Sequence, residues 1–508
     1  MILTTRFQKI LLAFALGALS VLGFAPFYIF PLPILAIAGL YYLWLKSTTP
    51  AAAWILGFGY GLGLYCVGIY WIYISLHDFG GMPWWFAGFS TFCLCAFMAL
   101  FVGLVGYFSK KLAGKNQSWL WLSVTVLWGL SDWVRSWIFT GFPWLTMGYS
   151  QVPYSPLAGF IPLVGVYGVT VITVLMAALI ASWFANLPRN LAWKRNAIAM
   201  FVLIVVTGNV LKIIDWTTPI GLPINVALVQ GNISQTEKWS PEKAQSTINQ
   251  YLSMVIASKA ALIILPETAL PVLSSQLDPN VKQTLKAHAK HNNGDLIVGL
   301  VEYNEATNNA PSQYFNSALS FGNAPTQVYS KNHLVPFGEF IPLKQVFGWI
   351  YRDWLNMPLS DLSRGGTHQT PMNLVNQKVA VNICYEDVFG EEIIRQLPDA
   401  TLLVNISNDA WYGKSYAANQ HMQFSQARAM ETGRMMLRAT NTGATAAIDE
   451  KGYVFAHAPH DVQTTLDITA QGFSGSTPYV VWGNWPFIVF CFGVLGFMLF
   501  KSFHHRDT

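Results

Sequence analysis

Eight apolar runs, seven in close succession and one near the C-terminus, restrict this chain more than any other feature. Runs long enough to cross about 30 Å of hydrocarbon fall near 9–25, 28–46, 52–74, 85–108, 118–137, 157–186 and 196–214, with the last near 484–500. Between the seventh and eighth, roughly 217–480, charge and turn residues return to the density of a soluble protein, over a length that suits one domain. The whole chain is 53% hydrophobic and only 11% charged, far from the soluble average. The pattern predicts a polytopic α-helical membrane protein with seven spans in 1–216, an α/β domain in 217–480, and an eighth span with a short tail in 481–508.

Lys and Arg in the short connections set the orientation, because translocating positive charge is disfavoured. Arg6 and Lys9, Lys46, the cluster Lys110, Lys111 and Lys115, then Arg189, Lys194 and Arg195, and finally Lys501 and Arg506 share one side. The alternate connections carry only Arg135 and Lys212 near their span ends. Both termini are therefore expected in the cytoplasm and the 217–480 domain outside it. The formal charge of +5 is accounted for by these clusters, so nucleic acid is not expected as a partner. The first run also fits a cleaved signal peptide, with Arg6 and Lys9 before it and the small residues Ala18 and Ser20 inside it; cleavage leaves the rest of the orientation unchanged.

Within the runs, the glycines of Gly57–Gly63 include a G-x-x-x-G pair, read here as a close helix-packing face. Trp84, Trp85, Trp133, Trp137, Trp482 and Trp485 fall at run ends, where an amphipathic ring suits the headgroup layer. Ionisable residues are almost absent from the run centres, which removes most support for an ion-coupled transporter.

The 217–480 region alternates strand-like and helix-like segments. Ile224–Val229, Leu262–Leu265, Leu296–Val301, Val379–Ile383, Leu402–Ile406, Met436–Thr440 and Thr445–Ile448 read as strands. Helices are expected after Ser240-Pro241-Glu242, after Asp278-Pro279, and from about Asn419 to Arg434. Catalytic side chains collect where loops leave such a sheet. Three reactive residues follow strand candidates: Glu267 in Leu265-Pro266-Glu267, Lys331 in Tyr329-Ser330-Lys331-Asn332-His333, and Cys384 in Asn382-Ile383-Cys384-Tyr385-Glu386-Asp387.

Each has an ordinary explanation. An apolar-flanked cysteine is most often inert core, a glutamate after a strand can favour a helix N-terminus, and a turn lysine is usually solvated. Cys384 is nonetheless the only one of five cysteines outside the apolar runs, and neither a disulfide framework nor metal-ligand spacing is present. Taken together, the set is complete for acyl transfer: the thiolate attacks a carbonyl, the carboxylate takes its proton, and the ammonium stabilises the oxyanion.

Leu265-Pro266-Glu267-Thr268, the run from Lys331 to Phe340 (KNHLVPFGEF) and Ile383-Cys384-Tyr385-Glu386 resemble the Glu, Lys and Cys motifs of the nitrilase superfamily. With seven spans before and one after, the chain resembles the apolipoprotein N-acyltransferase family over essentially its whole length. Ser407–Gly413 (SNDAWYG) and Arg438–Gly443 (RATNTG) are also like that family.

The resemblance implies an extracytoplasmic, nitrilase-like α-β-β-α sandwich at a bacterial inner membrane, acting without cofactor or metal and as a monomer. It implies a ping-pong reaction in which Cys384 takes a fatty acyl chain from a phospholipid, typically sn-1 of phosphatidylethanolamine. The thioester then acylates the α-amine of the diacylglyceryl-cysteine of an apolipoprotein. In that reading Glu267 is the general base, Lys331 stabilises the oxyanion, and Glu339 assists by orienting Lys331 or relaying protons. Tyr385 and Glu386 support the nucleophile's geometry, and Asn316 matches a polar position near the family's site. Trp239, Phe337 and Trp411 contact lipid or gate its access, with ordinary packing as the alternative. Two positions depart from the family pattern: Asn419 stands where an aromatic is expected before Gln420-His421, and Gly348, flanked by Lys344 and Arg352, stands where an arginine can meet lipid headgroups. The competing reading is a membrane-anchored amidase using the same Cys384, and a transporter or scaffold with a degenerate domain is disfavoured by the three catalytic types.

Overall fold

A computed structural model describes residues 5–114, 117–184, 191–306, 312–342, 345 and 361–504. Lys115, Arg189 and Arg506, used above for orientation, and Lys344, Gly348 and Arg352 lie outside the described residues. The chain forms two compact units: one of Met1–Tyr73, Trp85–Ile214 and Val481–Thr508, the other of Ile74–Trp84 and Asp215–Val480.

The first unit is helical. By length and composition, Arg6–Gly23, Pro50–Gly68, Trp84–Ala113, Pro156–Phe184 and Ala192–Ile213 are long and apolar enough to cross a membrane. The runs near 28–46, 118–137 and 484–500 form the shorter apolar helices Pro31–Lys46, Leu120–Arg135 and Trp485–Lys501. Leu120–Arg135 has 16 residues, about 24 Å at 1.5 Å per residue. Its run is cut at the start by the Gln117–Trp119 turn and ends on a buried ion pair, Arg135 with Asp132 at 2.7 Å. That pair is satisfied: Asp132 Oδ2 accepts from Met147 N at 3.0 Å, and Arg135 donates to Trp144 O at 3.1 Å. The glycine face does pack helices closely. A Cβ at Gly63 meets Phe14 O at 1.9 Å and one at Gly57 meets Val102 O at 2.5 Å, so the Pro50–Gly68 helix presents bare backbone to neighbours on two sides.

The second unit is a four-layered α-β-β-α sandwich. One sheet has the order β12-β1-β2-β3-β4-β5, built from β1 (Thr217–Gln230), β2 (Leu262–Ile264), β3 (Asp295–Asn304), β4 (Gln313–Gly322), β5 (Val328–Ser330) and β12 (Thr464–Gly475). The other has the order β11-β10-β9-β8-β7-β6, from β6 (Met372–Leu374), β7 (Gln377–Ile383), β8 (Leu402–Ser407), β9 (Met436–Thr440), β10 (Ala446–Ile448) and β11 (Val454–His457). Each sheet runs antiparallel, parallel, parallel, antiparallel, antiparallel, counted from β12 in the first and β6 in the second. The two sheets therefore repeat one topology.

The parallel strands at the centre of each sheet are rich in apolar residues because both their faces are covered. Leu228, Leu262, Ile264 and Ile297 of the first sheet share one core with Val381, Ile383, Val404, Ile406 and Leu437 of the second. On the outer face of the first sheet, Ile263, Leu296 and Val298 pack with Ile248, Tyr251 and Val255 of the Pro241–Ala257 helix and with Leu285 and Ala289 of the Pro279–His291 helix. On the outer face of the second, Leu403 and Met436 pack with Met422 and Ala429 of the Ala417–Thr432 helix. Gly433 ends that helix at φ 64°, a conformation glycine adopts without steric cost.

Candidate active site

Glu267, Lys331 and Cys384 lie where loops leave β2, β5 and β7, and the structure brings the three together. Lys331 Nζ is 2.9 Å from both Oε1 and Oε2 of Glu339 and 3.5 Å from Glu267 Oε1. Asn316, on β4, donates through Nδ2 to Glu267 Oε1 at 2.7 Å and to Glu339 Oε1 at 3.0 Å. One amide thus holds both carboxylates against the ammonium, while its buried Oδ1 has no partner among the described residues. The second Glu267 oxygen accepts from Asn408 N at 2.9 Å, just past the end of β8. Burial alone lowers the Lys331 pKa, but Glu339 and then Glu267 outweigh it and leave the ammonium firmly charged.

Cys384 occupies the first position after β7 with φ 55°, the left-handed region that a non-glycine residue adopts only under constraint. The constraint is visible. Its carbonyl accepts from Asn405 Nδ2 at 3.1 Å and faces His421 Nε2 at 3.2 Å. The residue keeps partial exposure, while desolvation and the Glu267 charge push its thiol up and Lys331 pulls it down. The resting group is a thiol that needs a base.

Glu386 fastens this turn to the lysine loop. Its Oε1 accepts from Asn332 N at 2.7 Å and His333 N at 3.1 Å, and its Oε2 from Ile383 N at 2.8 Å and Tyr329 OH at 3.0 Å. Burial pushes its pKa up to about 7 against the pull of those donors. Tyr385 is buried edge-on to Phe389 and His333, with ring centroids 5.1 and 5.9 Å away.

The remaining residues singled out by sequence occupy the loops around this centre. Phe337 has φ 63° and donates from its N to Phe340 O at 2.8 Å. Trp239 is half-buried, next to Lys238, between β1 and the Pro241–Ala257 helix. Trp411 packs edge-on to Phe79 at 6.2 Å, and its carbonyl accepts from Ser75 Oγ at 2.7 Å, both residues belonging to the 74–84 segment.

Two features are built from residues whose roles the sequence does not reveal. Beneath Cys384, Arg438 meets Asp387 at 2.8 Å and Asp409 at 3.2 Å, while His421 lies 3.0 Å from Asp387 and 2.9 Å from Asp409. All four are buried, and although burial lowers the His421 pKa, the two aspartates raise it to about 9. The result is a neutral tetrad of two cations and two anions that supports the nucleophile's carbonyl. Lys238 is the second feature, buried with its Nζ donating to Glu267 O at 3.1 Å. A lone lysine in a turn is ordinarily solvated, so only the folded chain reveals it.

A base, a cation and a constrained thiol brought together from three strand ends suit nucleophilic acyl transfer. Residues 16–179 match the family described as apolipoprotein N-acyltransferase N-terminal domain, and residues 225–477 match the carbon-nitrogen hydrolase family. An apolipoprotein N-acyltransferase of Nitrosomonas europaea is 49% identical over 477 residues, covering 94% of each chain. One of Chromobacterium violaceum is 41% identical over 506 residues, covering 99% of this chain and 95% of that one. The crystal structure of a carbon-nitrogen hydrolase from Helicobacter pylori G27 covers 53% of this chain and 94% of its own at 17% identity and a TM-score of 0.37, too loose a likeness to bear on function. Identity of this order along almost the full length, with both parts of the sequence matched, means that the chain belongs to the apolipoprotein N-acyltransferase family.

Proposed function

We propose that this protein transfers a fatty acyl chain from a phospholipid, through a thioester on Cys384, to the N-terminal α-amine of a diacylglyceryl-cysteine apolipoprotein. The observation that carries the reading is the convergence of Glu267, Lys331 and Cys384 from three separate strand ends, in a chain whose relatives carry that activity in their names. In the first half-reaction Glu267 takes the thiol proton, sulfur bonds to the ester carbonyl carbon, and Lys331 faces the oxygen that becomes negative. The ester C–O bond then breaks, and the proton held by Glu267 passes to the lysophospholipid oxygen. In the second half-reaction the neutral α-amine attacks the thioester, its proton goes to Glu267, the C–N bond forms and the C–S bond breaks, and the leaving Cys384 sulfur takes that proton back from Glu267.

Glu339 and Asn316 hold the lysine and the base, Tyr385 and Glu386 hold the turn, and Trp239, Phe337 and Trp411 border the path of lipid. Phosphatidylethanolamine, through its sn-1 chain, is the proposed donor. We place the enzyme in a bacterial inner membrane as a monomer with eight spans, both termini cytoplasmic and the sandwich periplasmic. Two membrane-held lipid substrates give a physical reason to join such a domain to apolar helices, which a water-using amidase lacks.

The test is transfer by the purified protein in vesicles of phosphatidylethanolamine labelled in the sn-1 chain, with a diacylated lipopeptide as acceptor. Label is expected in an amide of the lipopeptide. Free labelled fatty acid with no amide would replace the transferase reading by a hydrolase.

A further inference from the structure

The ordinary counter-charge for a buried lysine is a carboxylate at ion-pair distance, because an unpaired buried ammonium is costly. Lys238 has none within 4 Å among the described residues, and one of its three N–H groups goes to Glu267 O at 3.1 Å while no other acceptor faces it there. Its position is fixed by its loop rather than by its charge. Asn408 donates to Gln235 Oε1 at 2.7 Å, Ile233 N donates to Asn441 Oδ1 at 2.9 Å, and Asn441 Nδ2 returns to Ile233 O at 2.8 Å. The same Asn408 donates its backbone N–H to the Glu267 carboxylate, so loop and base form one assembly.

The charges facing Cys384 show what Lys238 balances. Glu267 and Glu339 bring two negative charges and Lys331 one positive. Asp387 and Asp409 are matched by His421 and Arg438. Glu386 is taken up by the lysine loop and Tyr329, and Tyr412, also facing the thiol, stays neutral as burial and Cys384 push its pKa up. Without a further cation, the set carries one unmatched negative charge both before and after a proton moves from Cys384 to Glu267. With Lys238 charged, moving a proton from Cys384 to Glu267 takes a neutral set of groups to another neutral set.

We propose that Lys238 is the second cation of the active site, a positioning residue that holds the Glu267 backbone and offsets its charge so that Cys384 can ionise. The inference deepens the acyl-transfer reading and rests on its assignment of Cys384 as nucleophile. Burial lowers the Lys238 pKa to about 8, against the opposing pull of Glu267 and Cys384, so the cation switches off within an accessible range.

The experiment is alkylation of the full-length protein in detergent by iodoacetamide, without lipid, read at the Cys384 peptide by mass spectrometry from pH 6.5 to 10. In wild type the rate should rise with pH, flatten near pH 8 to 9 as Lys238 loses its proton, and rise again. Lys238→Met should react about tenfold more slowly at pH 7, as expected for the loss of a neighbouring opposite charge, and converge on wild type by about pH 10. A rate lowered by the same factor at every pH, or unchanged, would overturn the proposal. Should Lys238→Met fail to fold, the wild-type profile decides alone: an uninterrupted tenfold rise per pH unit refutes the charge role. Because no acyl donor is present, convergent curves without any thioester in a lipid assay would sink the transferase reading and leave Lys238 standing.

Discussion

Replacing Glu386 by glutamine tests the joint between the nucleophile turn and the lysine loop. The native carboxylate meets four donors, two at each oxygen. The best placement of the amide puts its NH2 on the Oε2 side, where Tyr329 OH can turn to accept, but Ile383 N–H then faces another N–H. One buried donor left unpaired costs about 1–3 kcal/mol. The pH dependence adds a sharper signature. Glu386 keeps its proton in the folded protein up to about pH 7, against an ordinary value of 4.5, so the folded state binds more protons than the unfolded state between those limits. Its contribution to stability is therefore fully present below pH 4.5 and lost as the pH rises through 7, a fall of about 3 kcal/mol for two and a half pKa units. Glutamine does not titrate. Thermal unfolding of the detergent-solubilised protein should show Glu386→Gln clearly less stable than wild type at pH 5 and level with it or better by pH 8. A difference that stays flat or widens with pH would refute the assignment of that proton to Glu386.

Lys331→Ala should slow thioester formation by at least ~10²-fold, as for the removal of an oxyanion donor, in single-turnover assays with phospholipid; a change below about threefold would remove Lys331 from the chemistry. His421→Leu leaves Asp387 and Asp409 facing Arg438 alone, an uncompensated buried charge that costs about 3–5 kcal/mol, so the unfolding midpoint should drop by about 10 °C. A drop of less than 2 °C would show that the tetrad does not depend on His421. Because the His421 pKa is raised from 6.5 to about 9, the wild-type advantage over this variant is fully present below pH 6.5 and lost as the pH rises through 9.

The sequence is legible where burial is two-sided. β2, β7, β8 and β9 are almost wholly buried and rich in apolar residues, and each lies within a residue or two of the expected segment. β12 is not among the expected strands, because as an edge strand its exposure varies along its length and Thr464, Thr465 and Asp467 hide the apolar alternation. β4 is buried yet rich in small polar residues, Ser317 bonding to Ser330 and Ser320 to Gln327, a pattern that imitates a loop. β1 begins at Thr217 rather than near Ile224, since a bulge lets Thr217–Ile220 pair with the end of β12. Glu267 and Cys384 are visible because the ends of β2 and β7 are, whereas Lys331 follows β5, a three-residue strand absent from the expected set, and is marked only by the motif around it. Lys238 and the tetrad are not visible, because what marks them is the charge they face across the fold.

Intact-mass measurement of the purified protein after incubation with phosphatidylethanolamine, with and without hydroxylamine, bears most directly on the central claim. Wild type should gain the mass of one fatty acyl group, lost on hydroxylamine treatment and never gained by Cys384→Ala. An adduct that persists in Cys384→Ala, or active protein that gains none under trapping conditions, would contradict a thioester at Cys384.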